Sequence, residues 1–491
     1  MWLRELMRLW NRVRQNPAAH WCLLFLVLAT TIDTYNNDNP HSRHALLMSI
    51  VEDHGLAIDA YRSTTCDWSR TPDGHFYSNK APGPTLLALP LYLPLDALIV
   101  SNSKDRKMRD ARRMEARESL LDFLSLALQA IPFALLVMVS AEMLAARGIS
   151  RAAIEISAIA MLFGNTASMF MNTYFGHGVA AVLTLGIALA LPKRRNALVG
   201  FLFGLDVLSD YGTALFLPIL GVLVCMTAEP GWKPKFRGVL RFALGGLAPL
   251  VVFAAYHTLC FGGPLVLPNK FMNPVFVEKG GRALWGVIDF FPNSHAAYEL
   301  LFGIRRGLLV TQPWILLVAT LLLLLAWQSR WWEEKDIAVE ARTVFPLALG
   351  GFAVLFLMNA SFGGWHGGVS PGPRYLSAIL PVFGLALGLS YDAFPRLLRM
   401  ALWLSVLPGL VIFAIVGAGD PAIWPQHEIW RRCYETLFEF AKAKTYLSLC
   451  WIVFAFAVTT VVAVLRARWA WSRQLTRRRI GRSSATVPGG P

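Results

Sequence analysis

Apolar runs long enough to cross a lipid bilayer recur along almost the whole chain, and no other feature constrains its fold as strongly. A helical span needs roughly 20 mostly apolar residues. Such runs fall at 18–35, 119–145, 152–171, 177–192, 196–210, 212–228, 239–260, 308–328, 343–361, 374–394, 400–418 and 446–466. Only 16% of the 491 residues are charged and 55% are hydrophobic, whereas a soluble domain carries nearer ~25% charged residues. The ten-residue alternation of an outer-membrane barrel is missing. The sequence therefore predicts an all-α, polytopic transmembrane protein of about twelve spans.

The net charge of +15 does not point to nucleic acid. The basic residues sit in short hydrophilic breaks between apolar runs, as the positive-inside rule requires, and no nucleic-acid recognition module is present. The basic N-terminus leads into the apolar segment 21–32 with no small-residue cleavage site, which reads as an uncleaved first span. The tail arginines Arg473, Arg477, Arg478, Arg479 and Arg482 read as an anchor beside anionic lipid. Of the six cysteines, Cys22, Cys225 and Cys450 lie in apolar runs. Cys66 and Cys433 fall in loops expected outside the cytoplasm, where a disulfide between them is open.

Segment 85–100 is apolar but short, and Pro90 and Pro94 interrupt it. Its helical length of about 24 Å falls short of a ~30 Å hydrocarbon core. Charge decides its placement. If it does not span, Arg147 and Arg151, Lys193 to Arg195, Lys233 to Arg241, Arg396 and Arg399 and the tail all share the side of the basic N-terminus. Both termini are then cytoplasmic, and 85–100 lies at the interface or re-enters partway. The expected organisation is a basic N-terminus and first span (1–36), a large extracytoplasmic loop with juxtamembrane helices (37–118), a helical bundle (119–466) and a basic tail (467–491). Outer loops fall at 172–177, 210–211, 261–307, 362–373 and 419–445. The charged stretch 101–118 is expected to be exposed. The expected location is the inner (plasma) membrane.

The first loop is polar where the rest is oily. It opens with Asp33, Asp38, His41 and Arg43 and closes with Asp73, His75 and Lys80-Ala-Pro-Gly-Pro. Asn39 and Pro40 followed by an apolar-periodic run to Gly55 predict a helix capped by Asn39. Its Ala45, Leu46, Ile50 and Val51 face would rest on the membrane. Asp38 sits where the helix start favours a carboxylate; on position alone it serves equally as a capping aid. Lys80, held at the lipid boundary by a stiff proline run, suits a phosphate, or simply snorkels. The second constellation is the glycine-dense stretch with Trp365, His366 and Arg374. Its tryptophan offers a flat face and its arginine a bidentate grip on phosphate; a tight interfacial turn is the plainer reading. His177 in Asn172-Thr-Tyr-Phe-Gly-His lies between two spans. Asp206, Asp210 and Tyr211 form a weaker fourth set.

Taken in this order, these residues resemble the GT-C superfamily of membrane glycosyltransferases, nearest the branch of protein O-mannosyltransferases and lipid A aminoarabinose transferases. Asp38 matches that family's acidic motif and Lys80-Ala-Pro-Gly its proline motif, over about the first 230 residues. Two departures stand out. Asn39 replaces a frequent second acid, and His177 occupies a loop that commonly carries an aspartate. The resemblance implies transfer of a sugar from a polyprenyl phosphate donor to a lipid, glycan or protein acceptor at the extracytoplasmic face, with inversion. It implies Asp38 as base, Lys80 and Arg374 on the phosphate with Arg43 as a third cation, and His177, Trp365 and His366 around the sugar. Asp67 and Asp73 are reserve acids. No cofactor is certain. A divalent metal held by Asp38, Asp67, Asp73 and His75 is left unassigned, because their spacing fits no metal motif. The competing class is a transporter or flippase of a lipid-linked saccharide, which would hold ionisable residues deep in its spans. Asp122, Glu142, Glu155 and Asp206 lie near span ends in this reading. A non-catalytic membrane assembly factor is the third class.

Overall fold

A computed structural model describes residues 13, 15–31, 36–101, 103–276, 288–327, 339–418, 426–439 and 446–463. Asp33, most of the basic N-terminus, the Arg-rich tail and parts of the outer loops 261–307 and 419–445 lie outside the described residues.

The protein is an all-α, membrane-embedded bundle. Among the described residues six helices are long and apolar enough to cross a membrane: Arg106–Ala146, Gly176–Lys193, Trp232–Phe261, Val339–Ser361, Arg396–Ala418 and Tyr446–Ala463. Ala19–Thr31, Gly83–Ile99, Asn196–Ser209, Tyr211–Thr227, Pro313–Trp327 and Leu380–Ala393 are apolar but shorter. One two-stranded antiparallel sheet, Trp68–Arg70 with Phe76–Ser78, interrupts the helical pattern. Its turn contains Asp73 and a left-handed Gly74, as the Asp-Gly pair predicts.

Helix ends that charge assigned to one side do meet. Arg147 pairs with Glu340 at 2.8 Å, and the Ser150 hydroxyl donates to Asp392 at 2.5 Å. Arg151 donates to the Ala463 carbonyl at 3.0 Å, and Arg194 pairs with Glu229 at 3.2 Å. At the far end of the bundle, Gln129 donates to the Thr173 carbonyl at 3.0 Å and Tyr174 to the Pro84 carbonyl at 2.6 Å.

Three expected spans are broken rather than continuous. The first stops at Leu162 and resumes only at Thr166–Met169. Asn165 causes this by turning its amide back onto the Ala160 and Met161 carbonyls, at 2.7 and 2.9 Å. The second is split at Gln312, between Leu308–Thr311 and Pro313–Trp327. The two breaks satisfy each other. Thr166 N–H donates to Gln312 Oε1 (3.0 Å), Gln312 Nε2 to Thr166 Oγ1 (2.7 Å) and Trp314 Nε1 to the Gly164 carbonyl (2.7 Å). Interrupted backbone inside a bundle persists only when its polar groups are met in this way. The third, expected from 374, becomes α-helical only at Leu380.

The first loop departs further. Its helix is Asp38–Met48, and the cap is Asn37, whose side chain accepts from Asn39 N–H; Asn39 is not the cap. A π turn over Ser49–Asp53 follows, and His54 takes the left-handed turn at φ 52°. The expected membrane-facing stripe is buried in protein. Ala45 and Leu46 pack with Ile58, Tyr61, Phe76, Tyr77 and Tyr256, joined by Ile50, while Val51 sits with Tyr92 and Leu121. Cys66 and Cys433 are both free thiols.

Nor is the charged stretch simply exposed. It is the first half of Arg106–Ala146, one 41-residue helix that widens into a π turn at Leu126–Ala130. Arg113 is 2% exposed. Its Nε and Nη2 grip the two Asp96 oxygens side-on at 2.7 and 2.8 Å, and its Nη1 reaches Glu52 at 2.8 Å. Gly83–Ile99 is a single helix despite Pro90 and Pro94. It packs through Ala88 and Tyr92 on Leu120, Leu121 and Leu124. That is the half of the long helix beyond Gln129, away from Arg147.

Two outcomes test this clamp. Removing one partner of a buried ion pair strands the other, so Asp96→Asn is expected to cost ~3–5 kcal/mol in unfolding measurements. The pH dependence follows from Glu52, whose carboxyl is held down at about 2 by hydrogen bonds from Arg109 against the upward pull of burial, with Arg113 adding to the effect. That stabilisation is whole above the ordinary value of 4.5 and is lost as pH falls towards about 2. Glu52→Gln should flatten the fall in melting temperature across that window.

Candidate functional site

The open end of the hairpin brings two chemistry-bearing residues together. Asp67 precedes its first strand and Lys80 follows its second, and Lys80 Nζ lies 2.9 Å from Asp67 Oδ1. Ser42 pins this pair to the loop helix. Its hydroxyl donates to the Asp67 carbonyl at 2.6 Å and meets the Ser78 hydroxyl at 2.7 Å. The same helix therefore sets the positions of Asp38, Ser42 and Arg43. Loop 262–276 buttresses the hairpin from outside, through Ser69 to the Pro268 carbonyl (2.7 Å) and Asn273 to the Trp68 carbonyl (3.0 Å).

Arg43 is 4% exposed. Its Nη1 bonds the side chain and carbonyl of Asn39, and its Nε is buried with no partner. Burial lowers its pKa to about 10, while Tyr174, Asp67, Asp210 and Tyr211 act to raise it. The Lys80 ammonium is likewise pulled below its usual value, first by burial. Asp67 opposes that, and Arg374 and Arg43 add to it. The four groups Arg43, Asp67, Lys80 and Arg374 thus sense one another across a single region.

His177 and Asp210 complete the region. His177 Nδ1 lies 2.7 Å from Asp210 Oδ2, and Asp210 Oδ1 accepts the Gly212 N–H at 3.1 Å. The imidazole is packed by Phe170, Phe175 and, edge-on at 5.6 Å, Tyr375. Arg374 stands over the Phe175 and Tyr375 rings, at 5.9 and 5.2 Å. Its Nη2 donates to Tyr375 Oη at 3.3 Å, and its Nε is buried without a partner.

Glycine makes this convergence possible at two points. A Cβ on Gly176 would collide with the Ser209 carbonyl and come within 2.8 Å of Arg43 Nη2. A Cβ on Gly83 would strike the Ser209 hydroxyl and come within 2.7 Å of the Leu208 carbonyl.

The sequence-derived residues divide accordingly. Arg43, Asp67, Lys80, His177 and Arg374 share the region. Asp38 borders it, its carboxylate accepting the Cys66 N–H at 2.6 Å one residue from Asp67. Among the described residues no cation pairs with Asp38. Asp73 is not in the site, because it closes its own surface turn through Thr71 and the His75 N–H. His75 pairs with Asp59 at 2.6 Å. The four-residue metal set does not assemble, and no metal-holding cluster of His, Cys, Asp or Glu occurs among the described residues. Trp365 packs edge-on to His295 and beside His366, each at 5.9 Å, and has no ring contact with His177. His366 shapes the glycine turn, its Nδ1 accepting the Gly368 N–H at 3.0 Å. Asp210 was legible only as a weak set; its partnership with His177, 33 residues earlier, has no local signature.

No family model matches the chain, and no curated protein matches it.

The site's dependence on close backbone approach is testable. Gly176→Ala should destabilise by ~1–3 kcal/mol through overpacking and displace Arg43. Thermal unfolding would report the first effect, and a structure of the variant the second.

Proposed function

We propose that this chain is a membrane glycosyltransferase of GT-C type, moving a sugar from a polyprenyl phosphate donor to an acceptor at the extracytoplasmic face. One observation carries the reading. Arg43, Lys80 and Arg374 gather with Asp67, His177 and Asp210 at one end of an apolar bundle, and two of the three cations keep a buried N–H without a partner. An oily body with an under-compensated cationic mouth suits a ligand that is part hydrocarbon and part phosphate.

The helix ends paired around Arg147, Ser150, Arg151 and Arg194 form the cytoplasmic side in this reading, by the positive-inside rule. Gly83–Ile99 does not span. It runs with the half of Arg106–Ala146 that leads away from those ends.

The chemistry is an inverting displacement. The acceptor hydroxyl attacks the anomeric carbon, its proton passes to the Asp38 carboxylate, and the carbon–oxygen bond to phosphate breaks. The electron pair stays on the phosphate oxygen, so a phosphodiester leaves as a more highly charged monoester. Asp38 takes the base role because Asp67 is committed to Lys80 and Asp210 to His177. Arg374 and Arg43 hold the growing phosphate charge. Lys80 contributes less, because Asp67 already offsets it. The His177–Asp210 pair lines the sugar side.

The transporter reading rests on Asp206, which is fully buried and accepts from Thr184 Oγ1 at 2.7 Å. The two readings separate by mutation. In cells lacking the protein, the missing glycan is identified and complementation is scored. Asp38→Asn is expected to lower transfer ~10²–10⁴-fold at normal protein level. Wild-type transfer by that variant would remove Asp38 from the base role, and loss with Asp206→Asn alone would favour transport.

A further inference from the structure

We infer that Arg306 presents a built, buried seat for a phosphate group, shared with Arg374 across the turn at Gly367 and Gly368. The proposal rests on the glycosyltransferase reading and deepens it by naming Arg306 as a phosphate-gripping residue that neither the sequence motifs nor the resemblance identified. Arg306 is 3% exposed. Its Nη1 is fully engaged, donating to the His366 carbonyl at 2.8 Å and the Gly368 carbonyl at 2.7 Å. Its Nε and Nη2, the other edge of the plane, are buried with no hydrogen-bond partner.

That unpartnered edge is the one that grips oxyanions side-on. Elsewhere in this chain Arg113 uses the same two nitrogens for the two oxygens of Asp96. Arg306 therefore holds a two-donor fork open in a desolvated place, where leaving it unmet is costly. Among the described residues no carboxylate compensates it. The charges acting on it, among the described residues, are Arg374 and Arg305, both of which add to the downward pull of burial on its pKa, to about 10.

The turn between the two arginines fits the same purpose. Gly367 and Gly368 both take left-handed φ, at 72° and 60°. A Cβ on Gly367 would stand 3.1 Å from Arg374 Cγ, and one on Gly368 would stand 4.0 Å from Arg374 Nη1. Arg306 holds the carbonyl side of the turn and Arg374 lies against it. Two like charges held by one turn, Arg306 buried and Arg374 half-buried, are stabilised by an anion between them, and a planar fork favours the paired oxygens of a phosphate ester.

The test uses the full chain in lipid nanodiscs, with farnesyl phosphate, farnesol, inorganic phosphate and phosphatidylglycerol as probes. Wild type should bind farnesyl phosphate at least about ten-fold more tightly than farnesol, as a charged two-point contact implies. Arg306→Lys keeps the charge but loses the planar fork. It should weaken farnesyl phosphate about ten-fold or more and leave farnesol unchanged, whereas the same change at exposed Arg305 should alter neither. Unchanged farnesyl phosphate binding in Arg306→Lys overturns the proposal, as does equal loss of both prenyl probes. If the variant does not fold, wild type decides. Protection against thermal unfolding by inorganic phosphate supports the seat, and no protection overturns it. Equal competition by phosphatidylglycerol would make this a lipid-headgroup site and overturn the donor assignment. The readout is binding, so it can fail while Asp38-dependent transfer stands, and can succeed where transfer fails.

Discussion

A charge withdrawn from water must find an opposite charge or a ligand, and the polar end of this molecule is organised around that constraint. Where the partner is in the chain, the result is structure. Arg113 joins Asp96 to Glu52 and so straps Gly83–Ile99 and the π turn at Ser49–Asp53 to the long helix. Asp67 and Lys80 close the hairpin, and Ser42 fixes that hairpin to the loop helix. Where the partner is missing, the result is a candidate site. Arg43, Arg306 and Arg374 each keep at least one buried N–H without a protein acceptor.

The apolar bundle supports this end by bringing backbones close. Gly83 and Gly176 let the loop helix, Ser209 and the start of Gly176–Ala190 meet around Arg43. The paired breaks at Asn165 and Gln312 serve the same geometry from below. They end two helices inside the bundle without stranding polar groups, and they leave Phe170 free to turn onto His177. Rigid packing of this kind holds a reacting group in place more firmly than a loop alone could.

Much of this was legible residue by residue. Apolar runs located helices, and Arg147, Arg151 and Arg194, from basic breaks read as one side, find partners on other helix ends. The prolines and short length of 85–100 predict a segment unlike a span, and it forms a single 17-residue helix, Gly83–Ile99. Arg43, Asp67, Lys80, His177 and Arg374, singled out separately in the sequence, lie as neighbours because each flanks an apolar run that ends in this region. Asp73 and His75 satisfy their own loop locally, and Trp365 packs on His295 instead. Asn39 was mistaken for the cap because Asn37 precedes it by only two residues and offers the same chemistry. Arg306 carries no motif that singles it out in the sequence.

By itself, then, the sequence determined that the chain is a helical membrane protein and which stretches carry polar chemistry beside its apolar runs. Those properties follow from hydrophobic length and from the sign of charge, both local sums along the chain. Only the tertiary structure decided which charges are paired and which remain open. Arg113 and Arg306 look alike in sequence, yet one meets Asp96 and the other meets nothing among its described neighbours on its Nε edge. Pairing depends on distances between residues far apart in the chain, and on how completely water is removed around them, and neither quantity is written in local composition.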